Sequence, residues 1–181
     1  TEEYKGMEIV IDYDRDTENP RGWDNVGTMV CFHSWYTLGD KHSYSSPEDA
    51  LLSILEIDED ELPREYRCPD CEQTEQITSE TETCSHCGEG LDDDFYSLDL
   101  MELSIDDLFT RLREKAYVLP LYLYDHSGIT MNTGGFSCPW DSGQVGFIYA
   151  MKDYADSETR YPIKYLEGEV KTYDQYLTGD V

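Results

Sequence analysis

Two Cys-x-x-Cys pairs, Cys68 with Cys71 and Cys84 with Cys87, are separated by residues 72–83, and this spacing constrains the middle of the chain more than any other feature. Each pair forms a knuckle that turns both thiolates to one side. Two knuckles on a loop of this length close around one tetrahedral ion. Gly88 and Gly90, just behind the second pair, supply open backbone angles. The intervening EQTEQITSETET holds one large apolar side chain, Ile77, which is too little to fold a module without a metal. The expectation is a structural Zn²⁺ on Cys68, Cys71, Cys84 and Cys87, with His86 a lesser substitute for one sulfur. Four thiolates leave no position for water, so the ion is not expected to act as a Lewis acid. Disulfides need an oxidising compartment. The start, TEEYKGMEIVIDYD, lacks the basic and then apolar plan of a signal peptide, and no run of eighteen apolar residues occurs, so a soluble chain in the cytoplasm is expected.

Charge sharpens this picture. The formal net charge is -27, and residues 56–107 hold 19 acidic and 2 basic side chains, more than half of the excess in under a third of the chain. Such a field repels phosphates of nucleic acid and lipid headgroups and attracts basic surfaces. Direct binding to nucleic acid or membrane is therefore not expected, and a basic protein partner is. The candidate contact residues are Glu56, Asp58, Glu59, Asp60 and Glu61 on one flank of the cysteine module and Asp92, Asp93 and Asp94 on the other. An aromatic content of 13%, including 15 tyrosines, supplies the burial that disordered acidic chains lack.

Around the module the patterns alternate between strand and helix. MEIVIDY (7–13) and VGTMVCFH (26–33) read as strands. Ser46-Pro47-Glu48-Asp49 is a helix start with a hydroxyl cap, and Leu51, Leu52, Ile54 and Leu55 follow on one face, ending near Ile57. Phe95–Leu100 reads as a short strand, and Ser104 caps a second helix whose Ile105, Leu108, Phe109 and Leu112 share a face. Pro120 marks its strand as an edge or places a bulge in it. After Met151 a polar turn is expected, then a helix with Leu166, Val170, Tyr173 and Leu177 on one side. His33, Asp40 and His42 lie within ten residues, but without a third firmly placed ligand they read as a solvated loop with packed histidines rather than a metal site. The fold expectation is α+β: an antiparallel sheet with two or three helices (1–57 and 95–181), interrupted by a small zinc-ribbon-like insert at 58–94.

The stretch from Pro120 to Met151 sets two aromatic-rich strands around about twenty glycine-rich, polar residues, more than a plain turn needs. Cys138 is a candidate nucleophile there, with His126 or His33 as base and Asp125 or Asp141 as orienting carboxylate, the residue types of a thiol hydrolase or transferase. Pro139 biases Cys138 to an extended backbone, which favours a buried structural cysteine. Trp140 is a candidate anchor for a partner.

The segments GWDNVGTMVCFHSWYTLGDKH, PLYLYDHSGITMNTGGFSCPWDSGQVGFIYAM and YLEGEVKTYDQYLTGDV resemble a family of uncharacterised proteins of bacteriophages and related mobile elements. The resemblance implies a viral origin, residence in the host cytoplasm, and family chains that continue past the TGDV, with the expectation that the site is incomplete here. It assigns no catalytic residues. Acidity plus this origin leads to the expectation of an accessory protein that inhibits or modulates a host nucleic-acid-handling or defence factor, presenting carboxylates where that factor meets phosphates. The alternatives are the thiol enzyme and an acidity that is salt adaptation alone.

Overall fold

A computed structural model of the chain describes residues 2–9, 16–57, 64–77, 81–91 and 104–180. Contacts divide it into two units, Thr1–Ser43 with Arg113–Val181, and Tyr44–Leu112. The expected insert, 58–94, lies wholly inside the second. The first unit opens with a hairpin of β1 (Glu2–Tyr4) and β2 (Met7–Ile9). Its turn residues, Lys5 and Gly6, both have positive φ, 53° and 77°, as a two-residue type I′ turn requires. The expected strand over 7–13 is seen from Met7 to Ile9, and 10–13 lie outside the described residues. A 3-10 turn, Pro20–Gly22, precedes β3 (Thr28–Cys31).

The second unit holds α1 (Pro47–Leu55), the hairpin β4 (Arg64–Arg67) and β5 (Thr74–Ile77), and most of α2 (Ile105–Lys115). Both helices start as their sequences dictate. Ser46 Oγ accepts the Asp49 N–H at 3.2 Å and Ser104 Oγ accepts the Asp107 N–H at 3.2 Å. Ala50, Leu51 and Leu55 form the buried stripe of α1, which ends on Glu56 in a left-handed conformation (φ 57°). The short strand expected over 95–100 lies outside the described residues.

From α2 the chain runs into β6 (Ala116–Asp125), turns into β7 (Ile129–Asn132), and returns as β8 (Ser142–Met151). Two helices follow, α3 (Lys152–Glu158) and α4 (Pro162–Thr178). The polar turn expected after Met151 is thus a helix. Its sole buried residue is Ala155, which leaves no periodic signal to read. The sheet order is β3-β8-β6-β7, every pair antiparallel, and with four helices among the described residues the architecture is α+β. No helix among the described residues is long and apolar enough to cross a membrane.

The pleat sorts β6 into two faces. Leu121 and Leu123 point into a core with Met29, Cys31, Met131, Ile148 and the α4 residues Leu166, Val170 and Tyr173. Each fully buried side chain of this kind contributes about 1.5–3 kcal/mol. Tyr122 and Tyr124, at the alternate positions, point the other way. Pro120 does not make β6 an edge, since β6 lies between β8 and β7. Pairing with β7 begins only at Tyr122, so the proline's missing N–H costs no ladder bond on that side. The bulge sits beside it on the partner strand: Leu121 pairs with Gly146 and Tyr122 with Gln144, which makes Val145 the extra residue.

Candidate functional site

The β4/β5 hairpin carries the first knuckle at its turn, and the second knuckle folds against it. Two hydrogen bonds close each knuckle in the same way. Cys68 N–H donates to Gln73 O at 2.9 Å and Glu72 N–H to Cys68 O at 2.9 Å; Cys84 N–H donates to Glu89 O at 2.8 Å and Gly88 N–H to Cys84 O at 2.8 Å. The fifth residue of each knuckle is left-handed, Glu72 at φ 56° and Gly88 at φ 77°. Backbone N–H groups aim at the sulfurs in matching positions: Asp70 and Cys71 at Cys68, His86 and Cys87 at Cys84, Gln73 at Cys71, and Glu89 at Cys87. The Cys71 N–H chiefly, with that of Asp70, draws the Cys68 thiol down to about 7.

The four sulfurs meet. Cys68 Sγ and Cys87 Sγ are 3.6 Å apart, Cys71 Sγ and Cys84 Sγ 3.7 Å apart, and all four lie within 4.8 Å of one another, placed to hold a metal ion. Beneath them lies a small core, Tyr66, Cys68, Ile77 and Cys84, with Leu91 against it. Glu75 braces the second knuckle: its carboxylate accepts the Ser85 N–H at 3.0 Å and the Ser85 hydroxyl, and also contacts Cys84, whose thiol it holds above its ordinary range. His86, the expected substitute ligand, is 47% exposed, with Nδ1 3.2 Å from Ser85 Oγ and 4.0 Å from Glu75 Oε2. Glu75, Cys84 and His86 form a second ligand-type cluster sharing one cysteine with the first. Glu75 had no signature in the sequence beyond being one carboxylate among many.

The Pro120–Met151 stretch is less a loop than it reads. Its middle contains β7, and the true connection, 133–141, crosses the Tyr122/Tyr124 face of β6 so that β8 can pair on the opposite side. Gly135 lies 3.8 Å from the Tyr122 ring at the position a Cβ would take, and Phe136 packs on Tyr124 with ring centroids 5.5 Å apart. The crossing is pinned along its length. Asn132 Oδ1 accepts from Gly134 and Gly135 N–H at 3.0 and 2.7 Å, Ser142 Oγ donates to Cys138 O at 2.5 Å, and Asp125 N–H donates to Asp141 O at 2.8 Å. Beside it opens a cavity of about 530 Å³ lined by Tyr122, Phe136, Ser137, Pro139, Ser142 and three glycines.

Three of the five catalytic candidates, Cys138, His126 and Asp141, converge. Asp141 Oδ2 lies 3.5 Å from both the Cys138 thiol and His126 Nδ1, with the carboxylate in the middle. The thiol is thus paired with a carboxylate and not directly with the imidazole or a cation, the partners that activate a nucleophilic thiol. His33 belongs elsewhere: its Nδ1 accepts the Trp35 and Tyr36 N–H groups at 3.2 and 3.3 Å, and its ring stacks on Tyr36. The Tyr36 hydroxyl donates to Asp125, which holds the phenol above its ordinary range.

Asp40 and His42 serve the sheet. The Asp40 carboxylate accepts the Met29 N–H at 2.7 Å, its own N–H donates to Met29 O at 2.9 Å, and His42 Nε2 meets Cys31 O at 3.0 Å. Two residues spaced by two thus satisfy the outer edge of β3, and they form no ligand cluster with His33. Of the expected contact residues, Glu56 caps α1 and Trp140 is 92% exposed, while Asp58, Glu59, Asp60, Glu61, Asp92, Asp93 and Asp94 lie outside the described residues. Comparison with family models, curated proteins and solved structures found no match to the chain.

Proposed function

We propose that this chain is a phage-type accessory protein that acts by binding, an inhibitor or modulator of a basic host factor that handles nucleic acid or mounts defence, with its carboxylates standing in for phosphates. The observation that carries this reading is uncompensated charge. Against a formal charge of -27, the Arg21 side chain is 4% exposed and spent on Asp40 and Glu169, and Lys152 donates to the carbonyls of Arg113 and Glu114. The excess of 40 acidic over 13 basic side chains leaves a net negative field that steers basic partners and rejects nucleic acid.

In this reading the ion at Cys68, Cys71, Cys84 and Cys87 is structural Zn²⁺. A tetrahedron with Zn–S bonds of about 2.3 Å has edges of about 3.8 Å, and the sulfur separations of 3.6 and 3.7 Å match it. The ion fixes the module between the acidic flanks 56–61 and 92–94. Residence in the host cytoplasm keeps the thiols reduced and ready for metal.

The test is capture from host lysate with wild type and a variant in which Asp92, Asp93 and Asp94 are changed to lysine. Wild type is expected to retain a basic, nucleic-acid-binding protein that is lost from the variant and released as salt rises. Retention of the same proteins by both overturns the reading. A second reading, a thiol hydrolase or transferase, draws on the meeting of Cys138 and His126 at Asp141. It requires Cys138 to react with iodoacetamide much faster than a free thiol, and a slow thiol removes it.

A further inference from the structure

We infer that the end of the sheet where Trp35, Tyr36, Asp125, Asp141 and Trp140 gather is a recognition site for an arginine side chain of a protein partner. The inference rests on the basic-partner reading and names the group that would be read. Trp140 is 92% exposed and Trp35 86% exposed, so both indoles are open to a partner. Neither sits on a loose loop. Trp140 lies in the crossing segment between two pinned residues, the Cys138 carbonyl held by Ser142 and the Asp141 carbonyl held by the Asp125 N–H. Trp35 donates its N–H to His33, and its neighbour Tyr36 binds Asp125. The contact chain Tyr36–Asp125–Asp141 therefore brings the two segments that carry the indoles to one end of the sheet, and Pro139 and Ser142, on either side of Trp140 and Asp141, line the cavity of about 530 Å³.

The chemistry of this surface is one-sided. No lysine or arginine occurs from Ala116 to Met151 or from Gly22 to Asp40, the two segments that build it. Asp141 is 38% exposed, and its side-chain contacts are a thiol and the 65% exposed imidazole of His126, with no lysine or arginine among them. Exposed indoles on segments that also carry carboxylates suit a planar cation. A guanidinium stacks on the ring and donates two parallel hydrogen bonds to the carboxylate, which an ammonium does not do.

The probes are hexa-arginine and hexa-lysine peptides, titrated against the full chain at physiological salt by calorimetry. Wild type is expected to bind hexa-arginine about tenfold more tightly than hexa-lysine. Trp140→Ala and Asp141→Asn, one fully outward and the other isosteric, are each expected to weaken hexa-arginine about five- to tenfold and to erase the preference. The Asp92, Asp93 and Asp94 to lysine variant is expected to weaken both peptides alike and keep the preference. If Trp140→Ala and Asp141→Asn bind both peptides as wild type does while the lysine variant does not, the arginine site is wrong and the basic-partner reading stands. Should wild type bind neither peptide even at low salt, both are wrong.

Discussion

Arg21 is 4% exposed and makes four hydrogen bonds: Nε and Nη2 to the two oxygens of Asp40 at 3.0 and 2.7 Å, Nη1 to Glu169 at 3.0 Å, and Nη2 to Gly27 O at 2.5 Å. Glu169 in turn accepts the Val26 and Gly27 N–H groups at 2.8 and 3.1 Å. One side chain thus ties α4, the approach to β3 and the segment after it. Arg21→Met should cost about 3–5 kcal/mol, because it strands a carboxylate that is 9% exposed. The check is the urea midpoint, with Arg21→Met/Glu169→Gln recovering part of the loss. Cys31 supplies a second test. Burial first, then the nearby Asp40, pushes its thiol from 9.0 up to about 12, so the native state holds that proton more tightly than the unfolded chain. Its contribution is whole below about pH 9 and is lost as pH climbs toward 12. Between pH 8 and 10.5 it should remove about 2 kcal/mol, and Cys31→Ala should flatten that decline. Neither role was legible beforehand. Arg21 reads as one residue of a turn, and only the juxtaposition of α4 and β3 gives it three partners.

At the level of elements, what could be read was what is local. Ser46 and Ser104 cap helices because a cap and its N–H are three residues apart, and the cysteine knuckles announce themselves by spacing. What could not be read depends on pairing between distant strands. The four residues of β7, ITMN, look like loop until β6 lies beside them, and the crossing at 133–141 exists only because β8 returns on the other side of β6. The twin knuckles give the element-scale prediction. Apart from the cysteines, the core of the β4/β5 hairpin is Tyr66 and Ile77 with Leu91 alongside, too small to hold without the ion. Stripping metal with a strong chelator under reducing conditions should abolish amide protection at Tyr66 and Ile77 while β6 and β8 keep theirs, as read by hydrogen exchange. Gly88→Ala should weaken the module by about 1–2 kcal/mol, since it must keep φ near 77°.

For the whole molecule, a formal charge of -27 on 181 residues sets a self-repulsion that salt relieves. The melting temperature should rise from low salt and level off by a few hundred millimolar, where the screening length has fallen below about 8 Å. A rise that continues through several molar potassium chloride would instead mark salt adaptation as the origin of the acidity. Sheet edges matter at this scale too. On β3, the Met29 N–H and carbonyl and the Cys31 carbonyl are all taken by Asp40 and His42; on β7, Asp174 of α4 accepts the Met131 N–H and the Thr130 hydroxyl, each at 2.7 Å. A guest strand pairing at these positions would have to displace Asp40, His42 or Asp174 first. Along this four-stranded sheet, zipping of crowded copies strand to strand is thereby hindered at both rims.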